Sequence, residues 1–234
     1  MLFRLLLLSL PLLNANVALS GLADLFLGVL LCAVIASIYR AFTYGETHQW
    51  VFCLLFALGC LATKREGLFW VGSVAAATGW TLLPSLRLKT IAVVVACAVA
   101  LPSPLLLPKF ELSGDSLTSL ELYFRPDAAR ALLARTFDTW DWHLGVFLWL
   151  SALPIMLLAG PRDRGANATA ASLVILLTAY IFLFTCTLYS RAVLNGTGSG
   201  RLLMQLAPAL TFFSLLTWQR ISSAVSSDAI RSDA

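Results

Sequence analysis

Four polar groups interrupt an otherwise apolar chain, and each could do chemistry. Asp24 is a lone carboxylate between two apolar runs, with no basic residue beside it. It could serve as a first-turn or N-cap acid at the positive end of a helix. It could equally face a cavity, binding a metal or orienting a ligand hydroxyl. Lys64-Arg65-Glu66 places three charges in a row between two apolar segments. Lys64 or Arg65 could hold a phosphate, with arginine offering a bidentate fork. Glu66 could pair with one of them, and Gly67 would let the backbone turn or approach a ligand closely. A short solvated loop is the plainer alternative. Arg201 opens an apolar run after Gly198-Ser199-Gly200. A cation there opposes the helix dipole, so an anionic partner is the better reason for it. Gln205 follows one turn later on the same face, and Pro208 would kink the helix or free a carbonyl. Asp138, Asp141 and His143 lie among Trp140 and Trp142, a set suited to acid–base work or a divalent ion, or else to an ordinary interfacial belt. His48 is the only other histidine, which excludes a zinc site built from several of them.

The elements that position these groups follow from composition. The 234 residues are 59% hydrophobic and 12% charged, and the formal net charge is +4. Soluble domains carry roughly 25% charged residues. With a mean hydropathy of +0.86, lipid is the solvent that fits this chain. The basic residues stand singly between apolar runs, so membrane lipids and lipid phosphates are expected partners and nucleic acid is not. The five cysteines each sit inside an apolar run without a CxxC pairing and are read as packing residues. No phosphate loop, dinucleotide-binding glycine pattern or Gly-x-Ser-x-Gly elbow is present.

Apolar stretches long enough for helices fall at about 4–20, 22–42, 49–63, 67–84, 90–107, 143–160, 169–189 and 202–219. The fold expected is therefore an all-α polytopic transmembrane bundle of about eight helices. The third stretch is short, holds Gly59, and is expected to tilt or stop short of a full crossing. Residues 1–20 also resemble a signal peptide, but the next apolar run begins at Leu22 and favours an uncleaved helix. The transmembrane domain is expected over 1–221, with an outer loop at about 108–142. Within that loop Pro126-Asp127 starts a helix expected to lie in the interface, with Leu132, Leu133 and Phe137 on one face. The Ser-rich segment 222–234 is expected to be a polar, disordered cytoplasmic tail. Lysines and arginines in the short connections give a modest preference for both termini inside. Alternation then puts Asp24, Lys64 to Glu66 and Arg201 on the outer side, with Arg40, Arg164 and Arg220 on the inner side.

Three of the polar groups resemble, in order and spacing, one family. Gly21-Leu22-Ala23-Asp24-Leu25-Phe26-Leu27 resembles a Gly-Tyr-Ala-Asp-Leu-Pro-Leu stretch of bacterial membrane glycosyltransferases of the GT-C fold, with Leu22 in place of the aromatic and Phe26 in place of the proline. Leu61-Ala62-Thr63-Lys64-Arg65-Glu66-Gly67-Leu68 resembles their Leu-Thr-Lys-x-Glu-Gly-Leu motif. Arg201-Leu202-Leu203-Met204-Gln205-Leu206-Ala207-Pro208 resembles their Arg-Leu-Leu-Leu-Gln-Leu-x-Pro helix start. The family is related to dolichyl-phosphate-mannose–protein mannosyltransferases and to aminoarabinose transferases. The resemblance covers most of the chain, from about Leu12 to Trp218. It implies a polyprenyl-phosphate-linked sugar as donor, used on the outer face of the membrane. It also implies that Lys64 or Arg65, with Arg201, contacts the donor phosphate, with Glu66 and Gln205 in the same substrate-binding set. Asp24 would line the pocket. The localisation implied is the bacterial inner membrane.

The chain departs from the family at its start. The usual catalytic acidic motif lies upstream of the Asp24 position, where only about twenty residues stand here. The expectation is a chain corresponding to the C-terminal part of such an enzyme, with a second chain able to supply the absent helices. The catalytic residue is thus unassigned, and Asp24, Asp138 and Asp141 are its candidates. No metal ligand set is assigned, and a divalent metal is the only cofactor left open. A non-catalytic membrane subunit that binds lipid-linked sugar is the first alternative. A small transporter is the second; it would carry charges at helix centres or inverted repeats.

Overall fold

The computed structural model describes residues 22–83, 124–137, 145–159, 163–187, 190–195 and 199–232. Among these residues the structure is all helical, with eight helices and no strand. They are α1 (Leu22–Tyr44), α2 (Gln49–Thr63), α3 (Glu66–Leu82), α4 (Pro126–Phe137), α5 (Gly145–Ala159), α6 (Arg164–Cys186), α7 (Ser190–Leu194) and α8 (Ser199–Ser232). The expected helices at 4–20 and 90–107 lie outside the described residues, as do Asp138, Asp141 and His143.

Among the described residues, three helices are long and apolar enough to cross a membrane: Ala23–Tyr44, Arg164–Cys186 and Gly200–Ser223. This supports the membrane reading of the composition. The segments at 49–63, 67–84 and 143–160 form helices too, but of 15, 17 and 15 residues. At 1.5 Å per residue they are shorter than the roughly 30 Å of a hydrocarbon core. The outer face of α2 exposes Val51, Leu54, Leu55, Leu58 and Leu61 together. Such a continuous apolar surface suits lipid and not water.

α8 is the central helix, with 78% of its apolar window buried, and it packs along α1 and against α5 and α6. Leu27, Leu31, Ile35 and Ile38 form the buried stripe of α1, recurring at helical spacing, and join a core containing Met204, Leu206 and Phe213 of α8. Gly28 makes this contact possible. A Cβ there would stand 2.7 Å from the Gln205 carbonyl oxygen. Several hydroxyls buried in these helices bond to carbonyls one turn back, as Thr211 does to Ala207, Ser214 to Leu210 and Ser172 to Ala168. That local bond satisfies a polar group where water is absent.

Helix ends carry visible signals. α1 stops before Gly45, which takes φ +69°, the left-handed conformation that suits glycine after a helix. α6 starts from Asp163, whose Oδ1 accepts from the Ala166 amide at 2.7 Å. α4 begins at Pro126 with Asp127 in its first turn, as the sequence suggests.

Two expectations are corrected here. Leu132 and Leu133 do not share a face: Leu132 is buried, while Leu133 and Phe137 are exposed. Consecutive helical residues lie about 100° apart, so the helix presents one leucine to the neighbouring α6 and α7 and the other outward. The expected disorder after 221 gives way to helix at least as far as Ser232, where the description of α8 ends. No proline or glycine follows Pro208 to stop the helix, and Ala224, Ala229 and Ile230 sustain it.

Candidate functional site

The three motifs that lie far apart in sequence meet at one end of the α1–α8 pair. Asp24 stands in the first turn of α1, with its side chain only 4% exposed. Lys64 lies between α2 and α3 in an extended backbone conformation, with φ −155° and ψ 157°. Arg201 and Gln205 stand in the first two turns of α8. The tight packing of α3 on α2 sets the place of Lys64. A Cβ on Gly67 would stand 2.1 Å from the Cys60 carbonyl oxygen, so only glycine lets α3 start where it does. Gly67 therefore serves a close helix-to-helix approach.

Asp24 is the centre of the cluster. Its Oδ1 accepts from Lys64 Nζ at 2.6 Å and from Gln205 Nε2 at 2.6 Å. Its Oδ2 accepts from Arg201 Nε at 3.0 Å, and Arg201 Nη2 lies 3.0 Å from the same oxygen. Gln205 is itself oriented. Its Oε1 accepts from Trp70 Nε1 at 2.5 Å, which turns the amide nitrogen towards Asp24. Trp70 is fully buried in α3. The order of the network is thus Trp70 to Gln205 to Asp24, with two cations on the far side of the carboxylate.

The charge balance decides what this arrangement can do. A buried carboxylate is stable only when paired and hydrogen-bonded, and Asp24 meets both conditions. Two cations against one carboxylate leave a net charge of +1. Lys64 is 19% exposed and Arg201 63% exposed, so the surplus charge faces outward. Lysine has three N–H donors and arginine five, which leaves donors on both for an anion. Beside the cluster runs an apolar groove of about 620 Å³ between Phe26 and Val29 of α1 and Thr63 of α2. A cationic head next to an apolar trough matches an amphiphile with an anionic head.

The other expected site residues are placed differently. Arg65 and Glu66 are exposed and stand outside the network. Lys64 pairs with Asp24, and Glu66 makes no ion pair among the described residues. The N-cap reading of Asp24 is also replaced, because its oxygens are taken by side chains of other elements and not by backbone amides. Those oxygens face an ammonium and a guanidinium, which is no setting for a metal ion. No group of three or more His, Cys, Asp or Glu side chains comes together among the described residues. Pro208 does not end α8; its carbonyl accepts from Cys32 Sγ at 3.5 Å, another α1–α8 link.

Trp70 and Gly28 are the residues that sequence reasoning missed. Each sits in an apolar or small-residue run, where a packing role and a site role look alike. The one available signal for Trp70 was its place one turn after the charged Lys64 to Glu66 group.

No protein-family model, curated protein or solved structure matches the chain.

Proposed function

We propose that the chain is a membrane glycosyltransferase, or a portion of one, that takes a sugar from a polyprenyl-phosphate donor at the outer face of the bacterial inner membrane. In this reading the bundle is GT-C-like, and the Asp24 end faces outward. Lys64 and Arg201 hold the donor phosphate, and Asp24, Gln205 and Trp70 position them. The apolar groove beside Phe26 takes the first part of the polyprenyl chain. The observation that carries the reading is the net-positive cluster standing against that groove.

The chemistry follows from charge. A carboxylate removes the proton of the acceptor hydroxyl, and the oxygen attacks the anomeric carbon. The bond from that carbon to the phosphate oxygen breaks, and the lipid phosphate leaves with its electron pair. The phosphate passes from one negative charge to nearly two. Lys64 and Arg201 therefore bind the transition state better than the ground state, which is what accelerates a reaction. Asp24 is not the base in this scheme, since both of its oxygens are engaged. Asp138 and Asp141 are the candidates for that role.

The occupied state of Asp24 favours a second reading, a non-catalytic subunit that binds lipid-linked sugar for a partner chain. One experiment separates the two. Purified chain is given a polyprenyl-phosphate sugar and an acceptor extract, and free polyprenyl phosphate is measured. Release that Arg201→Ala abolishes supports the transferase. Binding without release supports the subunit. Neither binding nor release would sink both.

A further inference from the structure

We propose that the opposite end of the α1–α8 pair holds a second site, which takes the headgroup of an anionic phospholipid. This inference rests on the reading of these helices as membrane-spanning, but not on the assignment of a phosphate to the Asp24 cluster.

The first observation is a cavity of about 840 Å³ between α1 and α8, whose wall includes Tyr39, Arg40, Phe212, Leu216 and Arg220 and also the carboxylate of Glu46. Its lining is graded along the helices. On α8, Phe212 and Leu216 come two turns and one turn before Arg220, so apolar side chains lie towards the middle of the bundle and the cation lies at its end. On α1, Tyr39 and Arg40 stand in the last turns before Gly45. A phospholipid has the same gradient, from acyl chain to phosphate.

Depth is the second observation. Arg201 and Arg220 stand nineteen residues apart on one helix, a rise of roughly 28 Å at 1.5 Å per residue. That is close to the roughly 30 Å of a hydrocarbon core. If one cationic group lies in one headgroup layer, the other lies in the opposite layer. A lipid headgroup, and not a soluble anion, is the abundant occupant at that depth.

The third observation is how the two arginines are held. Arg220 is 13% exposed, pairs with Asp163 of the α6 start, and donates to the Tyr39 hydroxyl at 3.4 Å. Its guanidinium carbon lies 5.9 Å from the Tyr39 ring centre, so the cation is fixed in the cavity wall. Arg40 is 53% exposed and reaches Glu46 through Nη2 alone. Exposed pairs of this kind contribute little, so Arg40 can turn to a phosphate at small loss. The charged groups in the cavity wall are Arg40 and Arg220 against the one carboxylate of Glu46, so the lining itself carries a surplus of one positive charge. A zwitterionic lipid carries its own ammonium, and a net anionic one answers that surplus better.

The test uses the full chain in detergent, with phosphatidylglycerol or phosphatidylcholine added at equal concentration, and counts retained lipids by native mass spectrometry. Wild-type chain is expected to retain one phosphatidylglycerol more tightly than any phosphatidylcholine. Arg40→Gln is expected to weaken that retention about tenfold, the loss of one charge-assisted hydrogen-bonded contact. Ala36→Phe, which fills the apolar part of the cavity, is expected to lower it as well. In Arg40→Gln the affinity for polyprenyl phosphate should stay at the wild-type level, which keeps this site separate from the Asp24 cluster. Equal retention of the two lipids would overturn the proposal. So would wild-type retention in both variants, or displacement of the lipid by an equal concentration of glycerol 3-phosphate.

Discussion

The two ends of the α1–α8 pair use similar residues to opposite effect. At one end a single buried carboxylate, Asp24, draws two cations towards itself and leaves Arg201 largely exposed. At the other end the buried partner is the cation. Arg220 is enclosed, and Asp163 both pairs with it and caps α6. A buried anion with surplus cations around it presents positive charge outward. A buried cation with its own carboxylate ties three helices together. In the first design both cations gather on one carboxylate and present their surplus charge outward; in the second Arg220 is fixed in the wall by its own carboxylate, and only Arg40 is left exposed to meet a ligand.

Removing the buried carboxylate should break the comparison most strongly. Asp24→Ala leaves Lys64 and Arg201 facing each other without a counter-charge. Breaking a fully buried pair costs about 3–5 kcal/mol, and the exposure of Arg201 brings the cost below that, so the thermal midpoint should fall and polyprenyl-phosphate binding should be lost. Asp163→Ala should come next. It removes a cap of about 1 kcal/mol and unpairs an Arg220 that is only partly open to solvent, but it should leave polyprenyl-phosphate affinity unchanged. Thermal unfolding with a parallel binding titration reads both variants. Equal effects of the two on binding would erase the distinction between the ends.

Trp70→Phe is a finer probe. It keeps the ring but removes the N–H that orients Gln205, leaving a buried acceptor unsatisfied at about 1–3 kcal/mol. Thermal unfolding in the Gln205→Leu background checks this, because the Trp70→Phe loss should shrink there. Full persistence of the loss would mean that Trp70 acts by packing alone. The smallest effect concerns Glu46. Its hydrogen bond from Arg40, then that from Gln49, holds its carboxyl below the ordinary value. A lowered folded value means that the contribution to stability is present above the unfolded value and is lost as pH falls through the folded one. The loss of stability on acidification should therefore be smaller in Glu46→Gln than in wild type, as unfolding midpoints between neutral and acidic pH would reveal.

Much of this was legible in the sequence, for a physical reason. Charged residues in apolar runs need partners, so Asp24, Lys64, Arg201 and Gln205 marked themselves by being out of place. The alternation of helix ends also placed them together, with Arg40 and Arg220 at the far end, as the structure has them. What could not be read was which cation of the Lys64-Arg65 pair turns inward. That choice depends on the extended backbone at Lys64 and on the Gly67–Cys60 contact, neither of which has a local signature. Trp70 was hidden for the same reason, since its indole N–H matters only once α8 is beside it. The persistence of α8 past residue 221 went unread because serine content outweighed the absence of any helix breaker.

The central claim is that the Asp24 cluster holds a lipid phosphate through Lys64 and Arg201 and not through Arg65. Its most direct test is the dissociation constant for polyprenyl phosphate in Lys64→Ala, Arg201→Ala and Arg65→Ala, each checked for an unchanged fold. Affinity should fall about tenfold or more in the first two, the loss of a charge-assisted contact, and stay at the wild-type level in the third. Three equal affinities, or a loss confined to Arg65→Ala, would contradict the account.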